Sequence, residues 1–407
     1  MARPRRNPSE RALITLIGLC FMLQPLATDA YLPSLPGLVR TFDAGIGTVQ
    51  LTLSLFVLTF GAWQLVAGPV SDRYGRRPVL VAGLALYVAA SLACALAPTL
   101  AFLIAARVFQ AAGCCTCLAV ARAIVRDVFT PQAGARAIAQ ASSILAAAPI
   151  LGPIVGSALE VRFGFRAIFV VLALFAGLLV ALTLSRFAET NRHFDRQATR
   201  PRALASTYAL VLRSATFRAH TLAGAASYGG IFALITGAPF VLIGLLGVPT
   251  ANFGLAWAFC VLGYLAGTIV CRRLLVRRSI RGTMRIGGLV ALGAGVTLAG
   301  LAVAGVHHWA ALVGPGFVYF FAHGINFPAS QAGSVAPFPR HAGSAAGLFG
   351  FLMMAFAAVV GAAVGVTYNG TVYPLAFTVT ACALISTVTA FGWISRLPSA
   401  STAQETM

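Results

Sequence analysis

Hydrophobic residues along the chain fall into twelve long blocks separated by short polar breaks. The blocks cover roughly residues 12–35, 47–70, 78–97, 99–121, 137–159, 166–186, 218–246, 252–271, 285–305, 309–331, 343–366 and 372–395. A helix needs about 20 apolar residues to cross a hydrocarbon layer, and each block is of that order. Helices facing lipid are apolar nearly all round, so the 3.6-residue period adds little. The longest polar break, residues 187–217, divides the blocks six and six. Within it Leu204, Tyr208 and Leu212 recur at four-residue spacing. That spacing fits either a short helix lying on the membrane surface or a solvated linker. The pattern predicts an all-α membrane protein with twelve transmembrane helices in two six-helix bundles, residues 12–186 and 218–395.

Composition agrees. Of 407 residues, 59% are hydrophobic and only 9% are charged, against about 25% charged in an average soluble domain. A water-facing surface needs more charge, and disorder needs less apolar content. The apolar run beginning at Ala12 is too long for the core of a signal peptide and reads as the first span.

The net charge is +20, and every basic residue is Arg. Nucleic-acid binding would cluster that charge on a soluble domain, and no such segment exists. The Arg residues instead mark alternate breaks. Arg3, Arg5, Arg6 and Arg11 precede the first span; Arg73, Arg76 and Arg77 follow the second; Arg122, Arg126 and Arg136 follow the fourth. Seven lie between 186 and 218, six between 272 and 285, and Arg340 and Arg396 complete that side. The opposite breaks hold only Arg40, Arg162 and Arg166. The positive-inside rule then places both termini in the cytoplasm. Eight Cys lie mostly inside apolar blocks, where they act as small hydrophobes. Cys114, Cys115 and Cys117 have no nearby His or acid, so no metal or cofactor is expected.

The halves echo each other. Gly68, four residues, then Arg73 closes the second block; Gly267, four residues, then Arg272 closes the eighth, with Cys271 where Asp72 stands. Paired six-helix bundles are a known carrier plan, with the substrate site between them near the midplane.

Asp29 is the only acid within a block, in Gln24-Pro25-Leu26-Ala27-Thr28-Asp29-Ala30-Tyr31-Leu32-Pro33. Asp43 and Glu160 are expected at the outer surface. A carboxylate in lipid is costly, so Asp29 is either a functional group or near enough to the outside to be solvated. A lone acid able to gain and lose a proton is what a proton-coupled carrier needs. Arg107 is the lone basic residue within a block. It must pair with an acid or with backbone carbonyls of the first helix. Residues 68–78 combine Gly68, Asp72, Arg73, Gly75, Arg76, Arg77 and Pro78, a tight turn with a helix start. The fifth block carries Pro149, Gly152, Pro153 and Gly156, which loosen a helix and permit close packing. Tyr31, Gln64, Gln110, Tyr228, Tyr264, Tyr319, His323 and Asn326 are polar groups within spans, either lining a substrate cavity or joining helices.

Together these patterns resemble the major facilitator superfamily. Gly68 to Arg77 looks like its motif A, G-x-x-x-D-R-x-G-R-[RK]. Arg107 to Ala111 is similar to motif B, R-x-x-Q-G, with Ala111 in place of Gly. Gly152 to Ser157 looks like the antiporter motif C, G-P-x-x-G-G, with Ser157 in place of the last Gly. Asp29-Ala30-Tyr31-Leu32-Pro33 with Pro36, Ala121 to Asp127, Gly237 to Ile243, and Ala336 to Arg340 resemble segments of Bcr/CflA-type bacterial drug exporters. The resemblance implies that Asp29 carries the proton and that Arg107 modulates it. It implies that Asp72, Arg73 and Arg76 latch the inner face against the second bundle. Gly152, Pro153 and Gly156 would shape the bundle interface. No second acid stands near Phe21, which favours neutral or weakly charged cargo. The expected function is proton-driven export of small, largely apolar antibiotics across the bacterial inner membrane, by a monomer working in the lipid bilayer. The alternative is a proton-coupled carrier dedicated to one metabolite or nutrient. An enzyme would need a clustered acid–base or metal constellation, and a channel a repeated selectivity loop; neither is present in the sequence.

Overall fold

The computed structural model describes residues 10–191, 194–195 and 199–397. Arg3, Arg5, Arg6, Arg192 and Arg196, which entered the charge asymmetry, lie outside the described residues. Twelve helices are long and apolar enough to cross a membrane. They are α1 (Glu10–Thr41), α2 (Ile46–Tyr74), α3 (Arg76–Ala95), α4 (Leu100–Val128), α5 (Gln132–Phe163), α6 (Phe165–Arg186), α7 (Ala215–Leu245), α8 (Thr250–Arg277), α9 (Ile280–Val303), α10 (Ala310–Val335), α11 (Ala342–Thr367) and α12 (Tyr373–Arg396).

Local chemistry sets many of the boundaries. Gly75, at φ +99°, ends α2 and opens α3, and Gly164, at φ +74°, separates α5 from α6. L-residues rarely adopt such angles, so glycine is required there. Thr99, Ser214 and Ser279 each accept a hydrogen bond from the backbone N–H three residues on, capping α4, α7 and α9. The polar stretch after α6 contains a short helix, Pro201–Arg213. Its Tyr208 hydroxyl donates to the Leu65 carbonyl at 3.0 Å, so this linker helix is tied to α2.

Prolines shape the two helices that carry the site. In α5 the chain runs as two pieces, Pro131–Leu145 and Ala147–Phe163. Pro149 has no N–H to offer the Leu145 carbonyl, so the break falls one turn before it. In α1 the regular helix Glu10–Asp29 gives way to a 3-10 turn, Leu32–Ser34, and a short helix, Leu35–Thr41.

α1 to α6 pack among themselves, as do α7 to α12, and two seams join the halves: α2 with α11, and α5 with α8. Backbones come close along both seams because glycine lines them. At the end away from the linker, a Cβ on Gly47 would stand 3.3 Å from the Gly365 carbonyl oxygen. Gln50 there donates across to the Thr236 carbonyl at 2.9 Å. In the other seam the Gly254 N–H donates to Ser157 Oγ at 3.1 Å, and a Cβ on Gly254 would meet Pro153 and Ile154. At the linker end there is open space beside Gly68 and Gly343. The halves are therefore joined firmly at the far end.

Candidate functional site

Asp29 closes the regular part of α1, where the backbone turns into the 3-10 segment. It is the one buried acid among the described residues. Its Oδ1 accepts from the Thr28 hydroxyl at 3.2 Å. Gly152 of α5 stands directly behind it: a Cβ there would lie 3.5 Å from the Asp29 Cβ. α7 of the second half touches the 3-10 turn that follows Asp29, and Tyr228 lies on that helix. Tyr228 in turn packs 5.6 Å, centroid to centroid, from the His323 ring of α10. Tyr264 of α8 stacks on the other side at 5.8 Å, and Phe327 lies at 5.6 Å. Ser227 Oγ holds His323 Nδ1 at 3.0 Å. The first half thus contributes an acid, and the second an aromatic cluster around an imidazole.

Arg107 is completely buried, and its charge is met within the first half. Nη1 donates to the Ala27 carbonyl at 3.0 Å and to Gln110 Oε1 at 2.6 Å, and Nε to the Thr52 carbonyl at 3.4 Å. The guanidinium also lies over the rings of Phe56, Tyr31 and Phe169, at 4.1, 5.0 and 5.8 Å. Such contacts suit a cation without a paired anion. Of the two partners left open by the sequence, a carbonyl of the first helix, Ala27, is the one observed, joined by the Thr52 carbonyl of α2.

The polar candidates divide. Tyr228, Tyr264 and His323 gather in the second half, whereas Gln64 sits in the α2–α11 seam against Gly350. Tyr31 and Gln110 belong to the interior around Arg107: the Tyr31 hydroxyl donates to Thr52 Oγ1 at 3.2 Å, and Gln110 Nε2 donates to Ser91 at 2.8 Å. Tyr319 packs against Gly230 of α7, and Asn326 against Gly287 of α9, both inside the second half. Neither side chain has a hydrogen-bond partner among the described residues.

The 68–78 segment forms a compact ionic turn. Arg76 pairs with Asp72 at 2.6 Å and with Asp127 at 2.7 Å, and Arg126 reaches Asp72 at 3.6 Å. Arg76 Nη1 also donates to Ser71 Oγ at 2.6 Å. The expected latch runs to the second bundle; the bonds recorded for Asp72, Arg73 and Arg76 instead run to the first half and to the linker. Glu189 accounts for the difference. Its carboxylate accepts from the backbone N–H of Arg76 at 2.9 Å, of Arg77 at 3.0 Å and of Asn191 at 2.8 Å. It caps the start of α3, where a negative charge meets the helix dipole. Asn191 Nδ2 and the Asp195 N–H both donate to the Asp72 carbonyl. The linker is stitched to the turn. No motif in the sequence singles out Glu189; the one signal for it is a helix start at Arg76 whose free N–H groups need an acceptor.

The three expected Cys of α4 are all buried and free. Glu160, expected at the outer surface, is turned back onto α1, where it accepts from Ser34 Oγ at 2.5 Å.

Comparison with known proteins follows the same lines. A family model described as Major Facilitator Superfamily matches residues 17–362. The chain is 31% identical over 392 residues to the uncharacterized MFS-type transporter YdgK of Bacillus subtilis, covering 95% of this chain and 97% of the relative. It is 26% identical over 383 residues to the bicyclomycin resistance protein homolog of Haemophilus influenzae, covering 94% and 96%. Among solved structures it resembles a D-xylose-proton symporter with a TM-score of 0.76 at 12% identity, covering 95% and 98%. That last likeness concerns the fold alone.

Proposed function

The chain belongs to the major facilitator superfamily, and from that premise we propose that this multi-pass membrane transporter exports small, largely apolar drugs in exchange for protons. The observation that carries the reading is Asp29: the one buried acid among the described residues, with no ion pair recorded there, packed against Gly152 of α5, a helix of the α5–α8 seam. Relatives named for bicyclomycin and chloramphenicol resistance support the cargo class.

Alternating access is the mechanism. With the far end open, Asp29 takes a proton from outside. Protonation withdraws the carboxylate as a strong acceptor for a polar group of the bound cargo and so favours its release outward. The halves then rock about the α2–α11 and α5–α8 seams, and the linker end opens. There the proton leaves to the cytoplasm and a new cargo molecule binds against Tyr228, Tyr264 and His323. A membrane potential adds about 2.3 kcal/mol per charge per 100 mV to this cycle. Arg107, fixed on the Ala27 and Thr52 carbonyls, keeps a positive field near Asp29 without neutralising it. Asp72, Arg73 and Arg76 act as the inner latch, in the closed-inside state, against the second bundle. The Arg-rich side, with both termini, faces the cytoplasm of a bacterial inner membrane, and the working unit is a monomer of two six-helix bundles, 12–186 and 218–395, joined by the linker 187–217.

The test is growth inhibition of an efflux-deficient bacterium across an antibiotic panel that includes bicyclomycin and chloramphenicol. Asp29→Asn is run alongside at matched membrane abundance. Resistance that disappears in the variant is the expected result. Resistance that survives moves the coupling away from Asp29, and no resistance to any compound favours a carrier dedicated to one metabolite.

A further inference from the structure

Glu160 and Asp29 are linked by one face of α5. Gly152, Gly156 and Glu160 recur at four-residue spacing and form a single stripe along the second piece of that helix. The stripe lies against α1 throughout. Gly152 abuts Asp29 and the Ala30 N–H; a Cβ on Gly156 would overlap the Ala30 carbonyl; Glu160 accepts from Ser34 at 2.5 Å and lies beside Gly37. Eight helical residues separate the two ends of the stripe, about 12 Å. The closed seam therefore begins at one carboxyl group near the far surface and ends at another at the centre.

Ser34 also belongs to the 3-10 turn that touches α7 and α8 of the other half, so the Glu160–Ser34 bond sits where the far end closes. The groups facing Glu160 are few. α1 offers Ser34 and, further along, Arg40. On α6, Arg166 is turned to the Ala97 carbonyl at 3.3 Å. On α5 itself the nearest charge is Arg162, and α8 carries none before Arg272. Glu160 thus has a hydroxyl partner and no recorded ion pair among the described residues.

We propose that Glu160 is the outer proton-loading group of this carrier, in series with Asp29 through Ser34 and the turn of α1 that meets the other half. The proposal rests on the proton-coupled reading above. When the far end opens, the Glu160 carboxylate takes a proton from external water. Its O–H then donates to Ser34, water admitted between the halves beside the Ser34 turn carries a proton on, and Asp29 ends neutral while Glu160 returns to the carboxylate. One proton is moved and none is consumed. Contact of the Ser34 turn with α7 and α8 closes the route again when the halves swing back, which keeps protons from leaking through.

The experiment reads protonated Asp29 directly. Dicyclohexylcarbodiimide modifies protonated carboxyl groups in apolar surroundings, and modification of the Asp29 peptide is followed by mass spectrometry. Right-side-out membrane vesicles holding the full chain are shifted from external pH 8 to pH 6. Wild type should show rapid modification of Asp29. Glu160→Gln should slow it at least fivefold, Ser34→Ala should slow it less, and Glu160→Asp should restore part of the rate. All variants should reach the same extent after permeabilisation at pH 5, which reports an intact fold. Equal rates in wild type and Glu160→Gln would overturn the role of Glu160 while leaving Asp29 in place. A loss in Glu160→Gln that persists after permeabilisation would assign Glu160 a structural role and overturn it equally. Asp29 that is never modified at any external pH would remove both this proposal and the proton-coupled reading.

Discussion

Arg107 Nη1 donates to the carbonyl of Ala27 at 3.0 Å, two residues before Asp29, and that bond decides how the buried cation and the buried acid relate. A direct pair would hold Asp29 ionised and useless as a proton carrier. Bonding to the backbone instead fixes the helix that presents Asp29 and leaves its carboxyl free to titrate. Arg107→Lys keeps the charge but replaces a fork of donors by one point charge. Lysine cannot serve Ala27, Thr52 and Gln110 together. The expected loss is about 1–3 kcal/mol of stability from the carbonyls left unmet. A thermal melt in detergent should show a clear drop, with export falling as well. An unchanged melt would mean that the three acceptors do not depend on the guanidinium.

Glycine contacts make an ordering that can be checked. A Cβ at Gly156 overlaps the Ala30 carbonyl, whereas one at Gly152 meets the Ala30 nitrogen at 3.4 Å, ordinary contact distance. Overpacking a close interface costs about 1–3 kcal/mol. Gly156→Ala should therefore abolish most drug resistance and lower the melting temperature, and Gly152→Ala should be the milder of the two. The reverse order would show that the seam is not as tight at Gly156 as its backbone spacing indicates.

Much of this architecture was written locally. The twelve apolar blocks become twelve helices because lipid leaves the backbone no other way to satisfy itself, and the 68–78 turn is legible because Gly75 and Pro78 act on their immediate neighbours. What escaped depends on distant pairing. Glu189 reaches Arg77 across 112 positions, Ser227 reaches His323 across 96, and Glu160 reaches Ser34 across 126. No period or composition records such meetings. The same limit explains the cavity residues. Tyr319 and Asn326 share with His323 a polar group in an apolar helix, but only packing shows that they point into their own bundle.

Glu189 offers a test of the linker. Its carboxylate caps α3 and orders the residues that follow, so Glu189→Gln removes a charge from a helix N-terminus while keeping one acceptor. The cost should be about 1 kcal/mol. That is too small to unfold the protein and large enough to loosen a peripheral segment. Limited proteolysis should cut the linker several times faster in the variant, with the melt of the helical core almost unmoved. Equal cleavage would show that Asn191 and Asp195, through the Asp72 carbonyl, suffice to hold it.

His323 separates cargo recognition from proton coupling. Its Nδ1 is engaged by Ser227, and its ring lies between Tyr228 and Tyr264, in the half opposite Asp29. A flat, largely apolar molecule would stack there and find one polar contact at the imidazole. Replacing His323 by Gln keeps a hydrogen-bonding group but removes the aromatic face, and loss of one such stack costs about 0.5–1.5 kcal/mol. Each factor of ten in binding is about 1.4 kcal/mol, so inhibitory concentrations should shift by a few fold and unequally between aromatic and non-aromatic compounds. Asp29→Asn, by contrast, should remove resistance to all of them together. Ser227→Ala, which frees the ring without removing it, should fall between wild type and His323→Gln. A uniform loss in His323→Gln matching that of Asp29→Asn would instead place His323 in the proton pathway.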